Sequence, residues 1–213
     1  MEFSSFSLAG LLAVLGASPD QAPQATPSIE MQFVQKLAVC DASLFEFIHA
    51  NQRALEKYAP IERKNGIAYF KTSGDPKNNR ITFKRPMMVN GVAFTGFYQE
   101  HTALPLNTID VYYWGLHSTT RPAELAKRLP QLHLTAQSDG HWAGKTWIID
   151  DVNQSTHWTI NDNAVGGTAP VKGSAEKVLF VEEYQDKVAL ACTVQGYLTD
   201  EITHAVRPDL QGL

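Results

Sequence analysis

Eight short segments between residues 67 and 198 alternate apolar and polar side chains and follow one another closely. They cover residues 67–71, 80–84, 92–98, 108–116, 141–149, 155–160, 177–184 and 187–198. Alternation with a period of two is typical of half-buried β-strands. Most of the connections are too short for the crossovers that parallel strands require. The pattern therefore predicts a largely antiparallel sheet.

Two segments carry a helical pattern instead. In residues 41–59, Asp41 can cap a helix in which Leu44, Phe47, Ile48 and other apolar residues recur at helical spacing. Residues 122–129 place a proline at the first helical position and basic residues at the end. Together with the strands, these segments predict an α+β fold with two helices packed against a largely antiparallel β-sheet.

The N-terminal region predicts export. Residues 8–16 are apolar over the length of a signal-peptide core, which is shorter than the roughly 20 residues of a membrane span. We expect a signal peptide at residues 1–18, a flexible Pro/Ala/Gln-rich tether at 19–30 and one domain at 31–213, with no stable membrane span. No basic residue precedes the apolar stretch, so an apolar helix packed on the core remains the alternative.

The two cysteines, Cys40 and Cys192, fit an exported chain. Cys40 immediately precedes the first predicted helix, and Cys192 lies on the apolar face of the last predicted strand. That face must be covered, and the helix after Cys40 is a natural cover. We expect a disulfide between them and a periplasmic or secreted location; two buried free thiols are the alternative.

The charge balance disfavours nucleic acid as a partner. The chain has a formal net charge of -4, and its 18 Lys and Arg residues are scattered along the sequence. Binding to a phosphate backbone requires a clustered basic surface.

Six residues are candidates for a catalytic site assembled from distant segments: Glu100, His101, His117, His141, Asp150 and His157. Imidazoles and carboxylates serve in hydrolysis and in zinc binding. None of the usual zinc, nucleotide or nucleophile motifs is present, so we predict no cofactor and no metal. Packing or surface histidines explain the pattern better.

Aromatic residues suggest a binding surface. Tyr112 and Trp114 flank Tyr113 on one predicted strand, so neighbouring rings must point to opposite sheet faces. Tyr112, Trp114, Trp142 and Trp158 are the candidate binding residues, unless both sheet faces are covered and the rings are core. Residues 161–176 form a polar, glycine-rich loop of a length that often serves function.

The sequence thus favours an exported, non-catalytic binding protein whose partner is another protein, for instance an inhibitor or immunity protein that neutralises a toxin. The alternatives are an exported hydrolase with a His and carboxylate site, and a carrier of a small ligand or glycan.

Overall fold

The computed structural model describes residues 26–64, 66–73, 79–104, 109–184 and 186–210. The predicted signal peptide at 1–18 lies outside these residues, as does the tether up to residue 25. Helix α1 begins at Ile29 with Ser28 as its cap, because the Ser28 hydroxyl accepts a hydrogen bond from the backbone N–H of Met31. Helix α1 therefore includes Ile29 and Glu30, which were assigned to the predicted tether at 19–30.

The fold is α+β, as the sequence predicts. The described residues contain eleven strands: β1 Ile61–Lys64, β2 Ile67–Phe70, β3 Arg80–Val89, β4 Val92–Leu104, β5 Ile109–Ser118, β6 Thr135–Ala136, β7 Trp142–Ala143, β8 Trp147–Ile149, β9 Thr159–Ile160, β10 Ala175–Tyr184 and β11 Lys187–Gly196. Strands β3 to β11 form a nine-stranded sheet in the order β3-β4-β5-β11-β10-β7-β6, with β8 paired to β10 and to β9. All pairings are antiparallel, and β1 and β2 form a separate hairpin.

The same residues contain five helices rather than the two predicted: α1 Ile29–Leu37, α2 Ser43–Ala50, α3 Gln52–Leu55, α4 Pro122–Arg128 and α5 Asp200–Val206. The predicted helix at 41–59 is divided into α2 and α3 at Asn51. Asp41 accepts a hydrogen bond from the Ser43 N–H at 2.9 Å, one residue ahead of the helix cap at Ala42. Helix α4 begins with Pro122 as expected.

Two predicted strands are interrupted or shorter than expected, whereas β3 and β4 run beyond the predicted segments 80–84 and 92–98 to Val89 and Leu104. The segment 141–149 is interrupted between Ala143 and Trp147, so Trp142 and Trp147 lie on different strands, β7 and β8. Of the segment 155–160, the strand retains only Thr159–Ile160. In the segment before β9, Asp151 and Ser155 side chains accept hydrogen bonds from nearby backbone N–H groups, and such local bonds favour turns over strand pairing.

The main core lies between one face of the sheet and the helices. Each of the five helices contributes buried side chains to this side of the sheet, and fully buried Trp114 and Leu190 are among the sheet residues that meet them. The hairpin β1–β2 joins the same core through Phe70, whose ring lies 5.6 Å from that of Phe97.

A disulfide joins this layer to the middle of the sheet, confirming the predicted pairing of Cys40 with Cys192. Their Cα atoms are 5.4 Å apart although 152 positions separate them in sequence. Cys40 adopts a left-handed backbone conformation, with φ of 55°, in the turn between α1 and α2. Strand β11 is central in the sheet, so the bridge fixes the helical layer to the strand with neighbours on both sides.

The opposite face of the sheet carries a second cluster made of strand residues alone. Tyr98, Ala143, Phe180, Ala189 and Ala191 are buried there, with other aromatic rings packed beside them. Strands β5 and β11 approach closely on this face, where an added Cβ at Gly115 would come within 2.5 Å of the Ala191 Cβ. Only a residue without a side chain fits at Gly115.

Within the described residues, no helix has the length and apolar character needed to cross a membrane.

Candidate functional site

A cavity of about 740 Å³ lies at one edge of the helical side of the sheet. We call it the hairpin cavity, because the hairpin β1–β2 forms one wall. Its lining includes Glu62, Lys64 and Tyr69 from the hairpin, Gln99, His101 and Tyr112 from β4 and β5, and Asp200, Thr203, His204, Arg207 and Asp209 from the C-terminal segment. Cavities of this size are typical of small-ligand sites.

Arg207 is the most buried cation in the wall of the hairpin cavity. It follows α5, and its side chain is 2% exposed. The guanidinium donates from Nε to Asp209 Oδ1 at 2.8 Å and from Nη2 to Asp209 Oδ2 at 2.7 Å. Nη2 also donates to Gln99 Oε1 at 2.8 Å. A two-point contact of this kind fixes the plane of the guanidinium.

Aromatic rings hold the Arg207 guanidinium as well. Its central carbon lies 5.3 Å from the centroid of the Trp114 ring, 5.8 Å from that of Phe45 and 6.0 Å from that of Tyr112. Cation–π contacts are strongest where water is excluded. Arg207 was not among the residues selected from the sequence. The segment Arg207-Pro208-Asp209 was the available signal, since Pro208 begins a 3₁₀ turn that brings the Asp209 carboxylate back to Arg207.

His101 and Tyr112 form a second part of the wall. They are paired across β4 and β5, and their rings stack with centroids 4.3 Å apart. The residues next to His101 and Tyr112 along each strand point to the opposite face of the sheet, so they take no part in this contact. His101 Nε2 lies 2.7 Å from Asp110 Oδ1. Burial, followed by the negative charge of Asp110, raises the pKa of Tyr112 above its usual value.

Glu100 and His101 are neighbours in sequence, but their side chains serve opposite faces of β4. Glu100 borders the hairpin cavity, yet its carboxylate accepts a hydrogen bond from the Tyr184 hydroxyl at 3.1 Å and contacts Arg80 Nη2 at 3.3 Å. Tyr184 packs against the strand-only cluster. Only His101 of this pair therefore presents its side chain on the cavity side.

The other candidate catalytic residues lie elsewhere. His117 is buried on the face of the strand-only cluster, with its ring stacked on Tyr98 at 4.5 Å. His141 pairs with Asp139, and Asp150 and His157 are exposed. None of these four lines the hairpin cavity. The structure thus does not bring the six residues together, and the described residues contain no group of three or more His, Cys, Asp or Glu that could hold a metal ion.

Among the four candidate binding aromatics, only Tyr112 lines the hairpin cavity. Trp114 is fully buried, so it belongs to the core and cannot contact a partner at the surface. Trp142 and Trp158 are partly buried and pack against the main core, with Lys177 Nζ lying 5.1 Å from the Trp158 ring centroid. The predicted alternation is correct, since Tyr113 packs on the face opposite Trp114.

The glycine-rich loop predicted at 161–176 is shorter than expected, because β10 begins at Ala175. Most of its residues are exposed, Val165 and Val171 among them. None of its residues lines the hairpin cavity.

Comparison of the chain with protein-family models, with curated proteins and with solved structures gave no match.

Proposed function

We propose that this protein is an exported, non-catalytic binding protein that holds part of a protein partner in the hairpin cavity. One observation carries the proposal: several polar side chains of the cavity wall are already held in place by hydrogen bonds within the protein. Arg207 is bonded to Asp209 and Gln99, and His101 is bonded to Asp110. Preorganised polar walls of this kind suit recognition, because little side-chain freedom is lost on binding.

The dispersal of the candidate catalytic residues favours binding over hydrolysis. A hydrolytic site requires an acid, a base or a nucleophile within hydrogen-bond reach of one reacting group. His101 lines the cavity, whereas His117 and His141 do not.

Export is supported by the disulfide between Cys40 and Cys192, since such bridges persist in oxidising compartments. We expect the mature chain from its native host to begin between residues 17 and 23, and its mass to rise by two hydrogen atoms on reduction. Intact-mass analysis of the envelope and secreted fractions tests both points. A full-length chain in the cytoplasm would contradict export.

Within this proposal, the partner is neutralised by capture, as an inhibitor or an immunity protein would act. An open cavity beside a disulfide-linked helical layer and sheet supports such a role, because a preformed site binds without a folding cost.

The test is a capture experiment on the full chain with an affinity tag inserted after Thr168, in an exposed loop outside the cavity. Lys64→Glu reverses a charge in the cavity wall, and Lys172→Glu makes the same change in net charge at an exposed position away from it. A partner from the native envelope or secreted fraction should bind the original chain and Lys172→Glu but not Lys64→Glu. Equal capture by all three, or no partner at all, would refute the proposal.

A further inference from the structure

The charged groups of the hairpin cavity that have no partner among the described residues indicate the chemistry of its ligand. Four acidic residues border the cavity; the Glu100 carboxylate lies on the other face of β4, and three of the four carboxylates contact a cation. Asp209 contacts Arg207 at 2.7 Å, Glu62 contacts Lys71 at 2.6 Å and Glu100 contacts Arg80 at 3.3 Å. The fourth, Asp200, lies in the exposed first turn of α5. The negative charge of the wall is therefore largely matched within the protein.

By contrast, donor groups on two cationic side chains of the wall have no such partner among the described residues. The Nη1 atom of Arg207 donates to no acceptor among the described residues, whereas Nε and Nη2 are both engaged. Lys64 forms no ion pair with any residue in the described part of the chain. A guanidinium carries five N–H groups, so a single carboxylate and one amide oxygen leave part of it available.

We propose that the hairpin cavity binds a carboxylate group of its partner, with Arg207 Nη1 as the donor to that group. Lys64 adds positive charge from the hairpin side of the same cavity. The proposal rests on the binding function above and specifies the chemistry of the bound segment. An acidic side chain and the C-terminus of a chain both supply this group.

The geometry of Arg207 makes it suited to this role. Asp209, Gln99 and the ring of Trp114 hold the guanidinium in one orientation before any ligand arrives. The side chain is almost fully buried, and charge-assisted hydrogen bonds are strong when competing water is scarce. A carboxylate that reaches Nη1 therefore meets a fixed donor.

The test uses three small peptides and the full oxidised chain labelled with ¹⁵N. Acetyl-trialanine with a free C-terminal carboxylate, its C-terminal amide, and acetyl-aspartate amide are titrated at millimolar concentration while backbone N–H resonances are followed. We expect the free acid to shift the resonances of Gln99 and Tyr112 and to bind about tenfold more tightly than the amide. The aspartate peptide shows whether a side-chain carboxylate serves equally well.

Lys64→Gln should weaken binding of the free acid by about two- to fivefold, as expected for a partly exposed charge. The matched change Lys172→Gln, on the exposed loop, should leave binding unchanged. Replacing Arg207 would leave the buried Asp209 carboxylate without its charged partner and destabilise the fold. The comparison of acid with amide in the unaltered chain therefore carries the test.

Equal binding of acid and amide, or no shift with either carboxylate peptide, would overturn the carboxylate proposal. If the capture experiment succeeds while these peptides fail, the binding function stands and only the ligand chemistry is wrong. If the peptides bind and no partner is captured, the carboxylate site stands and the protein-binding function fails.

Discussion

Protonation of His117 should destabilise the folded protein at mildly acidic pH. Its side chain is buried, and neither ring nitrogen has a hydrogen-bond partner among the described residues. The pKa of His117 is lowered from 6.5 to about 4, chiefly by burial and also by the positive charges of Lys187 and Arg80, while Asp186 opposes them. The folded state therefore holds His117 neutral.

The size of the effect follows from the two pKa values. Well above pH 6.5 the histidine is neutral in both states, so it contributes no pH dependence. Below that pH the unfolded chain binds more protons, so the free energy of unfolding falls as the pH falls. At about 1.36 kcal/mol per pKa unit, the loss is about 2 kcal/mol at about pH 5 and about 3 kcal/mol once His117 is protonated in both states.

Urea unfolding followed by tryptophan fluorescence measures this loss. The free energy of unfolding is compared at about pH 7.5 and about pH 5 for the original chain and for His117→Phe, which keeps a ring against Tyr98 but cannot titrate. We expect the original chain to lose about 2 kcal/mol more than the variant between these pH values. Burial raises the pKa of Glu182, which acts in the opposite direction, but Glu182 is present in both proteins and its effect cancels.

His157→Gln is the matched control, because His157 is exposed. It should behave like the original chain. If His117→Phe loses as much stability on acidification as the original chain, the argument that burial keeps His117 neutral is refuted.

Three further perturbations have definite expected outcomes, each measured by urea unfolding. Gly115→Ala should cost about 2 to 3 kcal/mol by overpacking, because the new Cβ would lie 2.3 Å from the Leu190 carbonyl oxygen, whereas Gly144→Ala, with no contact under 3.7 Å, should cost far less. The double variant Cys40→Ala/Cys192→Ala should lose about 5 kcal/mol, the chain-entropy value for a loop spanning 152 positions, and a loss below about 1 kcal/mol would contradict that account. Glu30 is partly buried, which opposes ionisation, but hydrogen bonds from Tyr58 and Lys57 prevail and lower its pKa to about 2. Glu30→Gln should therefore lower stability by at most about 3 kcal/mol above pH 4.5, and the difference should vanish as the pH falls through about 2.

The alternating segments predicted the long strands because burial of one sheet face imposes a period of two on the sequence. Strands β10 and β11 begin within two residues of their predicted starts. The short strands were harder to predict from the sequence. Trp142 and Trp147 occupy an apparently continuous run, but Ala143 pairs with Phe180 and Trp147 pairs with Lys177, so the run contacts β10 at two separate places.

The sequence contains a recognisable signal for helix α1, although no helix was predicted there. Ser28 precedes a segment in which Phe33, Val34 and Leu37 fall on one helical face. The Pro-rich stretch before it suggested a tether that continued through residue 30. Helix α5 is only seven residues long, and its cap at Thr199 gives little pattern to detect.

The candidate site was predictable in part. Tyr112 and His101 were selected from the sequence, and strand pairing places them together in the cavity wall. Arg207 could not be found in this way, since its contact with Gln99 joins positions 108 apart and depends on how the C-terminal segment crosses the sheet. Burial of Trp114 was similarly hidden, because three consecutive aromatics do not reveal which face the helices cover.

The position of β11 bears on how the chain reaches its native state. Strand β11 lies between β5 and β10, and its partner β5 precedes it by about eighty residues of chain. During synthesis from the N-terminus, β3, β4 and β5 emerge first, and the edge of β5 that pairs with β11 stays unpaired until β11 follows. Such an edge, carrying Trp114 and Leu116, is a template for pairing with other chains. Completion of the sheet, and with it the approach of Cys192 to Cys40, therefore waits for the last strand, so we expect the incompletely synthesised chain to be the species most prone to pairing with other chains.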